Sequence, residues 1–377
     1  MNIPIVQTYT PPGFIDLGSG NPSLELLPLG MLKEAADRYF SAGDPRTLQY
    51  GAEQGNGYFL AALADFLSSM YKADVHPDSL FTTTGASSAL DLLCTLFTQP
   101  GDTIFVEEPT YFLALDIFAD HSVQVVAIPM DKRGMDVEKL EERLAEVQPK
   151  FVYTIPTYHN PASLTLTQRR REKLVDLARE HDFLVIADEV YHFLSYTQKP
   201  PQPMAAFSDQ VKQVISINSF SKILAPGLRL GWIQAHRSII NQLTGCGLLD
   251  SGGGLNPFAS AVVYHMIESG DLIKNIKKLK NTYQGRLDVM TETLDRCLPE
   301  AKYIKPQGGF FVWAQLPGID TARLRKRAQS FKIDFRPGEL FSSRNGLKES
   351  IRLSFSYYNP AEIENGIKQL ADCLHMD

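Results

Sequence analysis

Between about Tyr50 and Gly231 the chain alternates short apolar runs with amphipathic stretches, and few folds accept that pattern. The apolar runs predict strands at Ser79–Thr83, Thr103–Glu107, Val123–Ile128, Phe151–Ile155, Phe183–Ala187 and Val214–Asn218. Helix-like segments fall between them at Ala86–Phe97, Tyr111–Ala119, Asp136–Val147 and Thr167–Glu180. Strand and helix in alternation build a mostly parallel sheet covered on both faces, an α/β architecture. FLVIA and FVYTI are apolar throughout, as strands buried on both faces must be. Past Gly270 the character changes to a long helix, Asp271–Leu298, then strand-like FFVWAQL and SIRLSFS, then an amphipathic helix over Pro360–Leu374. The expected organisation is a large domain over 46–280 and a smaller α+β domain built from 1–45 and 281–377.

Composition narrows the functional classes. A net charge of −6 offers no basic field for nucleic acid or anionic lipid. Basic residues cluster at Arg169, Arg170 and Arg171 and again at Arg323, Arg325, Lys326 and Arg327, each in a helix-like stretch that reads as a solvated face. Four scattered cysteines show no CxxC and no neighbouring histidine, so reduced thiols and no metal site are expected. The first residues lack the pattern of a secretory signal. No apolar run approaches the roughly 20 residues of a membrane span. A soluble, cytoplasmic protein is the expectation.

Ligands of an open parallel sheet bind beyond the carboxyl ends of its strands. The residues that follow each predicted strand therefore enumerate a candidate site. They are Gly85-Ala86-Ser87 at a helix start, Tyr111 after EEPT, Asn160-Pro161, Asp188 with Tyr191, and Ser219, Ser221, Lys222 and Arg229. A lysine, a carboxylate, an amide, a tyrosine and several phosphate-binding groups are the parts that a pyridoxal phosphate enzyme requires.

Six strings in one order carry a resemblance: TTTGASSALDLL, EEPTY, IPTYHNPASLTLT, VIADEVYHFL, SFSKILAPGLRLGW and IRLSFS. Together they resemble the fold-type I aminotransferases of class I/II, and within them the broad-specificity 2-aminoadipate and kynurenine subgroup. The similarity runs from about Asp16 to the C-terminus. The resemblance implies that Lys222 carries the cofactor as an internal aldimine and later moves the α-proton. Asp188 would hold the pyridine nitrogen protonated, Asn160 and Tyr191 would donate to the phenolic oxygen, and Tyr111 would stack on the ring. Gly85, Ala86, Ser87, Ser219, Ser221 and Arg229 would cup the phosphate, since a helix start offers free N–H groups and arginine a charged fork. Tyr50, in LQYG, would reach the phosphate from the partner in a homodimer. Arg352 would clamp the substrate α-carboxylate, Gly20 would line the substrate pocket, and the peptide before Pro161 would be cis.

The expected activity is transfer of an amino group from an L-amino acid to a 2-oxo acid, with 2-oxoglutarate the family's usual acceptor. Fold does not fix reaction type, so a C–S lyase or decarboxylase on the same scaffold stays open. A ligand-sensing domain of a transcriptional regulator is disfavoured: only about twenty residues precede LGSGNP, too few for a DNA-binding head. The segment NPSLELLPLG is apolar and lacks arginine, which favours a leucine-like, methionine-like or aromatic substrate side chain.

Overall fold

In the computed structural model, which describes residues 5, 6 and 10–375, fourteen strands fall into three sheets among those residues. The first is a short parallel pair, β1 (Ile15–Asp16) with a strand from late in the chain. The central sheet holds β2 (Leu80–Thr83), β3 (Thr103–Glu108), β4 (Gln124–Asp131), β5 (Gly134–Met135), β6 (Phe151–Thr154), β7 (Leu184–Asp188), β8 (Val214–Ser219) and β9 (Gly231–Ala235). A second sheet contains β10 (Lys302–Tyr303) and β11 (Phe311–Gln315). After β12 (Ile333–Asp334), the partner of β1, that second sheet is completed by β13 (Arg336–Pro337) and β14 (Ser350–Ser354).

The central order is β2-β9-β8-β7-β6-β3-β4-β5. Strands β4, β3, β6, β7 and β8 run parallel, as the alternating pattern requires. β9 is antiparallel to both its neighbours. Its sequence lies at the edge of the alternating region and gives no such sign. The inversion at β9 sets β2 in the same direction as β8, so the carboxyl ends of β2, β3, β6, β7 and β8 share one edge.

Strands β3, β6, β7 and β8 divide their apolar side chains between two cores. Ile104, Val106, Tyr153, Ile186 and Ile215 join the larger cluster, and Phe105, Val152, Val185 and Val214 the other. That two-sided burial is what continuous apolar runs specify. The predicted helices appear at Ala86–Phe97, Phe112–Asp120, Val137–Leu144 and Gln168–His181. Asp136 caps the third by accepting from the Lys139 N–H. The long helix spans Asp271–Cys297 and packs on the last one, Pro360–His375. Helix Leu29–Ala42 packs on helix Pro257–Glu268.

The first basic cluster is a solvated face only at Arg169. Arg170 and Arg171 are both buried. Arg170 forms a fork on Asp131. Arg171 donates to the carbonyls of Leu166, Pro156 and Gln202 and to the Thr157 hydroxyl. Pro156, Thr157 and Leu166 belong to the loop after β6 and Gln202 to the segment after β7, so the guanidinium ties two loops together through its five donors. In the second cluster Arg325 is likewise engaged, on Asp334.

Candidate active site

The shared carboxyl edge of the sheet gathers the predicted residues. Asp188 ends β7 and is 7% exposed. Its Oδ2 accepts from the Tyr153 hydroxyl at 2.9 Å, while Oδ1 is buried without a hydrogen-bond partner among the described residues. Burial raises its pKa from 3.8 to about 6, against the hydrogen bond from Tyr153, the nearby Val190 N–H and the Lys222 charge. An ionised carboxylate oxygen left bare in a dry place calls for a cationic donor.

Lys222 follows β8 by three residues and is partly buried. Its Nζ donates to the Gly20 carbonyl at 3.0 Å and sits 5.4 Å from the Phe310 ring centre. Burial and the Arg352 charge lower its pKa to about 8, with Asp188 opposing and Arg229 adding to the fall. A large share of the amine is therefore neutral and nucleophilic near pH 8.

Beyond β2, Gly85 has φ +105°, a region that L side chains rarely adopt, and opens helix Ala86–Phe97. A Cβ there would lie 2.8 Å from Arg229 Nη2, so the guanidinium stands against the helix start. Ser219 Oγ donates to Ser221 Oγ at 2.9 Å and accepts from the Ser221 N–H at 3.1 Å. Arg229 Nη1 reaches Ser221 Oγ at 3.5 Å. Gly231, whose own Cβ would fall 3.0 Å from the Gly85 Cα, lets β9 close this cup. Ser87 is on the exposed side of the first helical turn. Free N–H groups, two hydroxyls and a guanidinium in one concavity suit a phosphate.

Arg352, on β14, is 4% exposed and no carboxylate pairs with it among the described residues. Nη1 donates to Asn160 Oδ1 at 2.8 Å and Nη2 to the Gly18 carbonyl at 2.7 Å. Its carbon centre lies 4.1 Å from the Phe311 ring, 4.9 Å from Phe341 and 5.8 Å from Phe112. Burial lowers its pKa to about 10, which leaves it charged at neutral pH. A buried cation without a counterion is costly, and an anionic ligand relieves it.

With its Oδ1 held by Arg352, Asn160 retains only the Nδ2 donors for another partner. The Asn160–Pro161 peptide is cis, as the resemblance implies, and Glu108–Pro109 is cis as well. Tyr191 is buried against the Phe310 and Phe311 rings. Burial pushes its pKa well above that of a free phenol, with Tyr111 and Asp188 adding and Arg352 opposing, so it stays a donor. Tyr111 precedes helix Phe112–Asp120 and is held to about 12 by burial, with the Arg352 and Asp188 charges both close enough to act on it. Gly20 does more than line the pocket, since its carbonyl takes the lysine N–H; a Cβ on it would meet Phe311 at 3.0 Å. Tyr50 stands apart on the surface of the chain, 83% exposed.

Several contributing residues escaped the sequence reading. Tyr153 is a lone phenol in an apolar strand, and a buried Tyr hydroxyl needs a partner, so a signal existed. Gly18 and Phe311 gave none. Neither did the support beneath the Asn160 loop, where buried Glu107 accepts from the Thr154 hydroxyl and the Ile155 N–H, both at 2.8 Å. His159 Nε2 lies 3.0 Å from that carboxylate but out of hydrogen-bond alignment.

The family model for aminotransferase class I and II matches residues 12–370. The chain is 37% identical over 369 residues to the aromatic-amino-acid aminotransferase 1 of Thermococcus litoralis, covering 96% of this chain and 88% of that one. It is 28% identical to the 2-aminoadipate transaminase of Thermus thermophilus over 96% of this chain and 91% of that one. The solved kynurenine aminotransferase of Pyrococcus horikoshii superposes with a TM-score of 0.89 at 35% identity, covering 96% and 90% of the two chains. The bare Asp188 oxygen, the Gly85–Arg229 cup and the half-neutral Lys222 fit pyridoxal phosphate, the cofactor of such enzymes. By family match, relatives and fold, this chain belongs to the class I and II aminotransferases and is a pyridoxal phosphate-dependent enzyme of fold type I.

Proposed function

We propose that the enzyme transfers the amino group of an aromatic or other apolar L-amino acid to 2-oxoglutarate, with Lys222 as the covalent anchor of the cofactor. The observation that carries this reading is Arg352, a buried cation without a carboxylate partner among the described residues and walled by Phe311, Phe341 and Phe112. A guanidinium of that kind takes an α-carboxylate in a fork, and aromatic walls beside it suit an apolar side chain. The Thermococcus litoralis and Pyrococcus horikoshii relatives, named for aromatic amino acids and kynurenine, support the same class.

When bound, pyridoxal phosphate supplies an electron sink for the bond broken at the substrate α-carbon. Asp188 would keep the pyridine nitrogen protonated, and the Tyr153 hydroxyl holds Asp188 in place. Asn160 and Tyr191 donate to the phenolic oxygen, and Tyr111 covers the ring. Gly85, Ala86, Ser87, Ser219, Ser221 and Arg229 bind the phosphate. Lys222 would hold the cofactor and, as a base, would carry the substrate α-proton on Nζ. Gly20 keeps that amine oriented through its carbonyl.

A homodimer fits the exposed apolar side chains Phe40, Leu48, Tyr50, Tyr58 and Phe258, which are 46–83% exposed. Phe40 packs on Phe258, Tyr58 packs on Tyr264, and Tyr50 lies against Gly253. Large apolar side chains left exposed in this way suit a protein interface, from which Tyr50 would reach the partner's phosphate. Four unpaired cysteines support a reducing, cytoplasmic setting.

The test begins with colour. Purified enzyme should be yellow, and borohydride should bleach it and leave the reduced cofactor on the Lys222 peptide; a Lys222→Ala protein that transaminates normally overturns the anchor. A donor panel with 2-oxoglutarate should yield glutamate fastest from phenylalanine, tyrosine, kynurenine or leucine. Preference for aspartate, or release of pyruvate and ammonia from a cysteine thioether without acceptor, overturns the substrate reading.

A further inference from the structure

Strands β1 and β12 bring two carboxylates face to face. Asp16 and Asp334 are register partners in that parallel pair. Their side chains are 15% and 12% exposed, so water screens them little. Like charges directly opposite destabilise a strand pair unless a cation lies between them. Arg336 supplies it. Its Nη1 and Nη2 donate to Asp16 Oδ1 and Oδ2, each at 3.0 Å, and Nη1 also reaches Asp334 Oδ2 at 3.2 Å. Arg325 neutralises the other side of Asp334 with bonds of 2.6 and 2.8 Å. Two acids and two bases thus alternate across the junction.

The junction is tied to the substrate site by a few residues of backbone. Asp16 Oδ1 also accepts from the Gly18 N–H at 2.8 Å. The Gly18 carbonyl accepts from Arg352 Nη2, and two residues on the Gly20 carbonyl accepts from Lys222 Nζ. A Cβ on Gly18 would lie 2.4 Å from Arg336 Nη1, so the guanidinium presses on the outer side of this strap. Arg336 also stands opposite Arg352 in the β13–β14 ladder, yet it is turned to Asp16 and Asp334.

We propose that Arg336 is a positioning residue, which by bridging Asp16 and Asp334 pins residues 16–20 against Arg352 and so sets the affinity for the substrate α-carboxylate. The proposal rests on Arg352 as the carboxylate clamp. Without Arg336, two facing carboxylates remain on the pairing that holds the strap, and the Gly18 carbonyl that orients Arg352 loses its support. A clamp made alike in ground and transition states governs KM rather than kcat.

The cofactor-loaded enzyme is titrated calorimetrically with 3-phenylpropanoate and with succinate, carboxylates that lack an amino group, and the one that binds the parent tighter is the probe. Arg336→Met should weaken it about tenfold and raise donor KM similarly, with kcat and cofactor affinity within about threefold; tenfold corresponds to about 1.4 kcal/mol. Arg336→Lys, charged but unable to bridge both carboxylates, should fall between. Asp16→Asn combined with Arg336→Met removes the repulsion and should recover most of the loss, which a ligand contact by Arg336 itself would not. The idea is refuted if Arg336→Met binds the probe within twofold of the parent, or if the double variant is as weak as the single one. Should Arg336→Met fail to fold, unchanged probe affinity in Arg336→Lys refutes it equally. Arg352→Lys separates the two readings: if it binds the probe like the parent, the clamp itself is wrong and the proposal falls with it. If Arg352→Lys loses binding and Arg336→Met does not, only the role of Arg336 is lost.

Discussion

Asp188→Asn removes a charge that the cofactor-free fold holds at a disadvantage. The carboxyl is 7% exposed, one oxygen lacks a partner, and its pKa stands at about 6 against an ordinary 3.8. A folded-state pKa raised this way means that the native state binds the proton more tightly than the unfolded chain does. The stabilising contribution is whole below about pH 4 and is lost as pH rises through 6. At about 1.4 kcal/mol per pK unit, the ionised group costs the empty fold up to about 3 kcal/mol at pH 7. Asparagine keeps an oxygen to accept from Tyr153 and carries no charge. The cofactor-free Asp188→Asn protein should therefore outlast the cofactor-free parent in urea at pH 7, by a midpoint shift on the order of 0.5–1 M. The gain should shrink below about 1 kcal/mol by pH 4, where the parent's carboxyl is protonated. In the loaded enzyme the gain should nearly vanish, because a pyridine N–H would then meet the free oxygen, while turnover should drop at least about a hundredfold. A gain of equal size at pH 4 and 7, or a loss at pH 7, refutes the electrostatic account of this site.

Gly85→Ala should lower cofactor affinity at least about tenfold, since it combines a positive φ with a Cβ 2.8 Å from Arg229; equilibrium dialysis reads it, and unchanged affinity refutes the cup. Arg171→Met should destabilise the fold by about 3–5 kcal/mol in urea unfolding, because it strands a fully buried Glu189 3.7 Å away and takes the guanidinium donor from the carbonyls of Leu166 and Gln202. A loss under about 1 kcal/mol shows the arginine to be dispensable.

Much of this arrangement was legible in the sequence because the fold repeats one rule. Each parallel strand is apolar and ends where the chain must turn, so Asp188, Asn160 and Lys222 could be found by reading past FLVIA, FVYTI and VISIN. β9 was not among the predicted strands, being a five-residue run just past the alternating region, and its antiparallel direction leaves no mark on composition. The buried arginines misled for a related reason. Arg170 and Arg171 sit in a helical stretch whose polar character is that of a solvated face, and their partners are loop carbonyls and Asp131, which no local pattern announces. Gly18 and Arg336 come together only through the pairing of β1 with β12, which joins opposite ends of the chain.

The place of β9 also dictates an order of assembly. Among the described residues β2 has no other neighbour in its sheet, pairing Leu80 with Gln234 and Thr83 with Gly231. On the ribosome, the helix start at Gly85 is synthesised early and must wait for β9 before it is set beside Ser219 and Arg229. The phosphate cup is therefore a late product of translation, and a nascent chain halted before Gly231 has no place to hold the cofactor.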